Sequence, residues 1–316
     1  MSNPFHPLVS IVIPVYNGSN FVREAIDSAL AQTYDNIEII VVNDGSTDEG
    51  KTREIALSYG DKIRYFEKPN GGVSSALNMG ILNMQGQYFS WLSHDDMYAP
   101  DKIKNQVELL AGFEERNVLA LCKTRQIDKD GNFMKKSFGE RLKKGERVDS
   151  YGALSATLKQ GCLSGCALLV PKAAFDKCGG FDESLRYCQD LKMWLSIFLA
   201  GFTLVYDDKP DCLSRVHDNQ LTQKGVDIYH KDCIAICEQL LPSLVAFTDK
   251  KRRCVYDYAL YSAKYNTPEV WKACLKQKGA TTFCERARVR CMALYGKVRP
   301  TIRKVYFALF KRVKTR

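Results

Sequence analysis

The stretch Ile39-Ile-Val-Val-Asn-Asp-Gly-Ser-Thr-Asp48 decides the fold. Four β-branched residues in succession leave no polar face, which suits a strand buried on both sides within a parallel sheet. The polar run behind them turns the chain, and Ser46 and Asp48 offer caps for a helix reaching about Tyr59. The same rhythm recurs on either side. Leu8–Val15 reads as a strand, followed by the Asn17–Gly18 turn and a helical stripe of Phe21, Ala25, Ile26, Ala29 and Leu30. Ile63–Phe66 is a third strand, Val73–Met84 a helix, Tyr88–Leu92 a fourth strand, and Pro100 opens a helix to about Phe113. This βαβα alternation implies a parallel sheet with helices on both faces.

Beyond residue 113 the pattern loosens. Leu119–Thr124 reads as one strand, Lys135–Arg147 as a charged loop, and Ala167–Val170, Phe202–Tyr206 and Cys212–Val216 as short strands around a helix over Asp190–Ala200. From about Gln220 the chain reads as helical, with Cys233, Ile236, Cys237 and Leu240 on one face.

Ligands of a parallel α/β sheet bind beyond the carboxyl ends of its strands. Four consecutive strands end there in polar or glycine-rich turns: Pro14-Val-Tyr-Asn-Gly18, Asn43–Asp48, Pro69-Asn-Gly-Gly72 and Ser93-His-Asp-Asp96. Asp44 reads either as an acceptor for a base imino group or as a turn residue capping the next helix. Gly71–Gly72 before a helix lets backbone approach a pyrophosphate, or simply turns the chain. Asp95-Asp96 suits a hard divalent cation, or is a solvated acidic turn.

Taken together and in order, Val9–Asn17, Ile39–Asp48, Asn70-Gly-Gly-Val-Ser74 and Trp91-Leu-Ser-His-Asp-Asp96 resemble the family 2 glycosyltransferases. Gly179-Gly-Phe-Asp-Glu183 and Gln189-Asp-Leu-Lys-Met-Trp-Leu195 are similar to the acceptor-side region of that family. The resemblance covers residues 8–218. It implies an α/β GT-A fold, a Rossmann-like nucleotide-binding sheet with an acceptor subregion, and an inverting enzyme of the bacterial cell-surface polysaccharide type. Residues 1–218 would form that domain, with 8–100 binding the nucleotide-sugar and 101–218 facing the acceptor, and 219–316 would be a C-terminal helical region.

By the same resemblance Pro14, Tyr16 and Asp44 would hold the base of a UDP-sugar, and Asn70, Gly71 and Ser74 would lie near the nucleotide. Asp95 would bind Mn or Mg, with His217 either a further ligand or a plain loop histidine. Asp190 would be the general base of a single inverting displacement. Ser93 stands where many members have Asp, which leaves it a ribose contact. Leu77 stands where many have Arg, which removes a phosphate contact, and Gln189 replaces a common Glu.

The charge of +10 is localised. Residues 284–316 hold eleven Lys/Arg against one Glu, so the body is neutral. Within them Ile302, Val305, Tyr306, Leu309, Phe310 and Val313 fall on one helical face with cations around them. Residues 301–316 thus read as a helix lying on an anionic membrane surface, or as a terminal helix with a solvated face. Met1–Pro7 does not read as a signal peptide, and no apolar run is long enough to span a bilayer. The expected location is cytoplasmic, peripheral on the inner face of the plasma membrane, with a glycan or lipid-linked acceptor. Nothing suggests a nucleic-acid partner. The twelve cysteines include no CxxC and many sit in apolar runs, so they read as buried thiols rather than disulfides or a zinc site.

Overall fold

The computed structural model describes residues 5–138, 142–218, 226–245, 252–276, 281–282 and 284–297. The chain divides into two compact units, Met1–Val226 and Asp227–Arg316.

The first unit begins with β1 (Val9–Val15), α1 (Val22–Leu30), β2 (Ile37–Asn43), α2 (Lys51–Leu57), β3 (Arg64–Glu67), α3 (Val73–Asn83) and β4 (Tyr88–Trp91). All seven residues of β1 are buried, because β2 and β4 pair with it in parallel on its two sides. β3 extends the sheet beyond β2, also in parallel. Four carboxyl ends are thereby aligned along one edge. α1 covers a face with Val22, Ala25, Ile26 and Ala29, each fully buried. A buried Val or Ile contributes roughly 1.5–3 kcal/mol. α2 starts later than its expected caps: Gly50 precedes it with a left-handed φ of 81°, and the Asp48 carboxylate accepts the Thr52 N–H at 3.1 Å.

Then follow β5 (Met97–Tyr98), α4 (Lys102–Ala111), β6 (Val118–Leu121), β7 (Thr124–Ile127), β8 (Phe133–Phe138), β9 (Arg147–Val148), α5 (Ser150–Gln160), β10 (Leu168–Pro171), α6 (Lys172–Cys178), α7 (Gln189–Leu199), β11 (Thr203–Tyr206) and β12 (Cys212–Arg215). β10 runs antiparallel to both β4 and β6 and so splices β6, β11 and β9 onto the first four strands. The result is an eight-stranded sheet ordered β3-β2-β1-β4-β10-β6-β11-β9, beside a four-stranded sheet ordered β5-β12-β7-β8.

Two sequence expectations change here. Leu119–Thr124 is not one strand: the run breaks at Cys122–Lys123, whose amides donate to Ala167 O and Lys209 O, so β6 stays in the large sheet while β7 enters the small one. Lys135–Arg147 is not loop throughout, since β8 pairs antiparallel with β7 and β9 with β11.

The second unit contains α8 (Val226–Val245), α9 (Arg252–Lys264), α10 (Pro268–Lys276) and α11 (284–297). Cys233, Ile236, Cys237, Tyr258, Tyr261 and Cys274 are buried within it. No described helix is long and apolar enough to cross a membrane. The expected amphipathic segment 301–316 lies outside the described residues.

Candidate active site

At the end of β2 the chain folds back on itself. Gly45 has a φ of +67°, and a Cβ there would lie 2.6 Å from the Asn70 amide nitrogen, so only glycine lets the two turns meet. Asp44 is the hub of this corner, with its side chain almost wholly buried. Its Oδ1 accepts from Lys68 Nζ at 2.8 Å and from the Gly71 N–H at 3.0 Å, and its Oδ2 accepts from the Gly72 N–H at 2.7 Å. Asn70 Nδ2 donates to the Asp44 carbonyl at 2.9 Å. Asp44 therefore organises the approach to α3 rather than capping α2. Next to it Asn17, at a φ of 49°, is locked to the same edge: its amide donates to Ser46 Oγ at 2.9 Å, and the Thr47 amide donates to its Oδ1 at 2.7 Å. Pro14 is buried in β1, whereas Tyr16 is 45% exposed above the corner.

The second cluster follows β4. The Ser93–Asp96 turn leads directly into β5, which pairs with β12, and the chain leaving β12 returns to that turn. His217 Nε2 thereby meets Asp95 Oδ2 at 3.0 Å, and the His217 ring packs on Phe21 at 5.0 Å. Arg215 fixes this geometry. Its guanidinium is fully buried; Nε donates to the Asp95 carbonyl at 2.9 Å, Nη1 to the Lys129 carbonyl at 2.8 Å and Nη2 to Glu24 at 2.6 Å. Its own amide donates to Asp96 Oδ1 at 2.9 Å. Burial, then the neighbouring Asp95 charge, pushes the Asp96 carboxyl upward. Burial holds His94 below its ordinary value and keeps it neutral. Gly18 is glycine because a Cβ there would stand 2.5 Å from the His94 ring. Ser93 shares a hydrogen bond with the Cys166 thiol at 3.3 Å.

The third cluster lies around the start of α7. Burial lifts the Asp190 carboxyl to about 6, against opposing hydrogen bonds from the Leu191 N–H and the Cys162 thiol. The Leu191 bond is 2.7 Å. The Gly179–Glu183 loop is pinned to α3: Asn78 Nδ2 donates to Phe181 O and to Glu183 at 2.9 Å each, and the Phe181 amide donates to Asn78 Oδ1 at 2.7 Å. Gly180 has no room for a Cβ, which would lie 2.4 Å from Asn78 Oδ1. Phe181 packs edge-on to Trp91 and Trp194, both at 5.9 Å. Asp182 is partly buried, yet hydrogen bonds from Lys192 and Ser184 hold it down at about 2. One loop thus ties α3 to the helix carrying Asp190.

The structure brings Asp44, Asn70 and Gly71 together, and separately Asp95 with His217. Ser74 points elsewhere: it is buried and its hydroxyl donates to the Asp182 carbonyl at 3.1 Å. Sequence reasoning missed Lys68, Arg186 and the role of Arg215. Lys68 stands two residues before the Asn-Gly-Gly turn, and Arg215 two before His217. Arg186 Nη1 lies 3.3 Å from where a Cβ on Gly72 would stand, at the N-terminus of α3. Leu77, where an arginine was expected to be missing, is fully buried.

Residues 10–179 match the Glycosyl transferase family 2 profile. The chain is 49% identical over 225 residues to an uncharacterised glycosyltransferase of Rickettsia typhi, covering 71% of this chain and 69% of the relative. It is 47% identical over 241 residues to an uncharacterised glycosyltransferase of Rickettsia bellii, covering 76% of this chain but 34% of that relative. The chain thus spans about a third of the longer relative's length. Among solved structures, S. aureus TarS 1–349 in complex with UDP-GlcNAc superposes with a TM-score of 0.67 at 16% identity, over 94% of this chain and 92% of that one. At that identity the likeness speaks for the fold alone, and the fold is GT-A.

Proposed function

The chain belongs to glycosyl transferase family 2, and from that membership we infer that it moves one sugar from a UDP-sugar to an acceptor hydroxyl, inverting the anomeric centre. The observation that carries this reading is the separation of two carboxylate stations into unlike environments. Asp95 faces an imidazole beside the phosphate end of the sheet, while Asp190 sits at the head of α7, raised to about 6 by burial. Such divided environments assign different chemical roles to like side chains.

Asp190 is placed to take the proton of the attacking hydroxyl. A carboxylate near 6 is mostly ionised at neutral pH and a better base than an ordinary aspartate. The donor's base is framed by Pro14, Tyr16 and Asp44. A carboxylate offers about four acceptor positions; Lys68, Gly71 and Gly72 occupy three on Asp44, which leaves one for an imino N–H. Support for a uridine nucleotide also comes from the TarS complex, which holds UDP-GlcNAc in the same fold. Ser93 would meet the ribose. Arg186 at the start of α3 supplies the cation that Leu77 does not, where the departing diphosphate meets the helix N-terminus.

A carboxylate oxygen suits Mn or Mg, and an imidazole nitrogen beside it favours Mn over Mg. Asp95 and His217 converge in that way, and no group of three or more such side chains occurs among the described residues. A bound cation would neutralise charge on the leaving diphosphate.

The acceptor we place among cell-surface glycans or lipid-linked oligosaccharides, at the cytoplasmic membrane face; the cationic amphipathic sequence of 301–316 supports this. A chain ending at residue 297 should lose sedimentation with anionic liposomes, and equal partitioning would remove the membrane from the proposal.

The test of the reaction is UDP release from UDP-glucose, UDP-galactose, UDP-GlcNAc and UDP-GalNAc with Mn or Mg. Asp190→Asn should lose at least about 10²-fold in rate while still binding UDP. A wild-type protein that binds UDP and turns over none of these donors is a nucleotide-binding protein, not a transferase.

A further inference from the structure

The loop that follows α5, residues 161–167, carries two thiols that bond to carboxyls in different clusters. Gly161 ends α5 in the left-handed region with a φ of 98°, and the chain leaves the helix through Cys162. The far end of the loop is clamped to the end of β4. A Cβ on Gly165 would stand 2.4 Å from the Trp91 ring, Cys166 Sγ lies 3.3 Å from Ser93 Oγ, and the Cys166 thiol also hydrogen-bonds the Asp96 carboxyl. The near end is held by α5, which packs against α7. There the Cys162 thiol hydrogen-bonds the Asp190 carboxyl. A loop fixed at both ends thus delivers one side-chain donor to Asp190.

That donor has a second acceptor. Cys162 Sγ lies 3.2 Å from the Leu163 carbonyl oxygen, to which it can also donate. A thiol carries one proton, so it serves one oxygen at a time. An ionised carboxylate is the stronger acceptor of the two, and a protonated carboxyl is not. The S–H therefore points at Asp190 while Asp190 is ionised, and turns to the Leu163 carbonyl once Asp190 has taken a proton. Charged neighbours do not compete with it. α5 carries Tyr151 and Lys159, and α6 carries Lys172, Asp176 and Lys177. Asp182 and Arg186 precede α7, with Asp182 already held by Lys192. Among the described residues none of these charges acts on the Asp190 carboxyl, which feels burial, backbone N–H groups and Cys162.

We propose that Cys162 is the positioning residue of the base: its thiol holds the ionised Asp190 carboxylate and releases it on protonation, so the strength of this one donor sets how readily Asp190 accepts a proton. The proposal rests on Asp190 being the general base of transfer. A thiol suits the position because it is a weak donor. A hydroxyl there would hold the carboxylate harder and make a poorer base. A methyl group would leave the charge without its side-chain partner, and Asp190 would take up its proton at higher pH. The thiol lies between, keeping Asp190 ionised at neutral pH without quenching its basicity.

Cys162→Ser and Cys162→Ala test this, because they move the base in opposite directions. The acid limb of kcat/KM is read by UDP release with whichever UDP-sugar of the panel the wild type turns over. It should shift to lower pH in Cys162→Ser and to higher pH in Cys162→Ala, each by about half a unit or more. A residue that only fills space would lower the rate without moving the limb. Limbs that stay in place, or that move the same way in both variants, overturn the proposal. A second readout needs no turnover. The urea midpoint of Cys162→Ala should fall further below wild type at pH 7, where Asp190 is ionised, than at pH 3, where it is not, and this pH-dependent part should vanish in an Asp190→Asn background. A loss equal at both pH values, or a pH-dependent part that survives in Asp190→Asn, overturns the proposal. The two readings fail separately: an Asp190→Asn enzyme with near-normal turnover removes the base assignment and the proposal with it, whereas an inactive Asp190→Asn beside unmoved Cys162 limbs removes the proposal alone.

Discussion

Asp190→Asn should make the protein more stable while making it inactive. The folded state raises this carboxyl from an ordinary 3.8 to about 6, chiefly by burial. Each unit of difference corresponds to 1.36 kcal/mol, so ionised Asp190 costs the folded state roughly 3 kcal/mol at most. The side chain is partly open to solvent, which reduces the figure to about 1–2 kcal/mol. The folded value lies above the unfolded one, so folded protein holds the proton more tightly. Below about pH 3 both states are protonated and no penalty exists; it grows as pH rises through 3.8 and is complete above 6. Asparagine carries no charge, and its amide oxygen still accepts the Leu191 N–H. Urea unfolding at pH 7 should therefore show Asp190→Asn more stable by about 1–2 kcal/mol, and unfolding near pH 3 should show the two proteins equal. The same value governs the rate. With Asp190 as base, kcat/KM in the wild type should fall tenfold per unit below about pH 6, whereas an unperturbed aspartate would leave it flat to about pH 4. A variant that is no more stable than wild type at pH 7, or a gain that persists unchanged at pH 3, would refute the claim that a strained, buried carboxylate is the base.

Three further outcomes follow from the same geometry. Arg215→Met removes a buried guanidinium that ties Asp95, Lys129 and Glu24 together, and should cost about 3–5 kcal/mol in urea unfolding; a loss under 1 kcal/mol would show that the turn holds itself. Arg186→Ala should weaken binding of UDP and UDP-sugar about tenfold, worth about 1.4 kcal/mol, and leave uridine affinity unchanged, because only the phosphates meet that cation; equal weakening of uridine would place Arg186 at the base instead. His217→Ala should raise the Mn concentration for half-maximal rate by about tenfold or more, and an unchanged metal requirement would reduce His217 to packing on Phe21.

The parts of this fold that could be read in advance share a physical property: their partners lie in periodic register. β1 is buried on both sides, so an unbroken apolar run identified it, and with the shorter runs of β2, β3 and β4 it located four turns on one sheet edge. α5 escaped because it has no single stripe. Ala153, Leu154, Ser155, Thr157 and Leu158 are all buried, so small and polar residues sit where a large apolar side chain would mark the inner face. Its boundary signals were present all the same: Asp149 accepts the Gly152 N–H at 2.7 Å, and Gly161 ends it in the left-handed region. β8 escaped because an edge strand bearing lysines looks like loop.

The site divides along the same line. Asp44, Asp95 and Asp190 were visible because each follows or opens a regular element and carries a charge that needs a reason. Lys68, Arg186 and Arg215 were not, since what gives each its role is a group far away in the chain: Lys68 meets Asp44, Arg186 meets Gly72, and Arg215 meets Asp95 and Glu24. A lone cation in sequence is by default a solvated one, and only the fold shows that the Arg215 guanidinium is fully enclosed. The carboxylates could thus be named from sequence, but what holds each in position could not. Asp95 keeps its place through Arg215 and the pairing of β5 with β12, more than a hundred residues downstream. Asp95 is therefore only as well placed as the small four-stranded sheet is stable, and disrupting that sheet should weaken catalysis before it unfolds the large one.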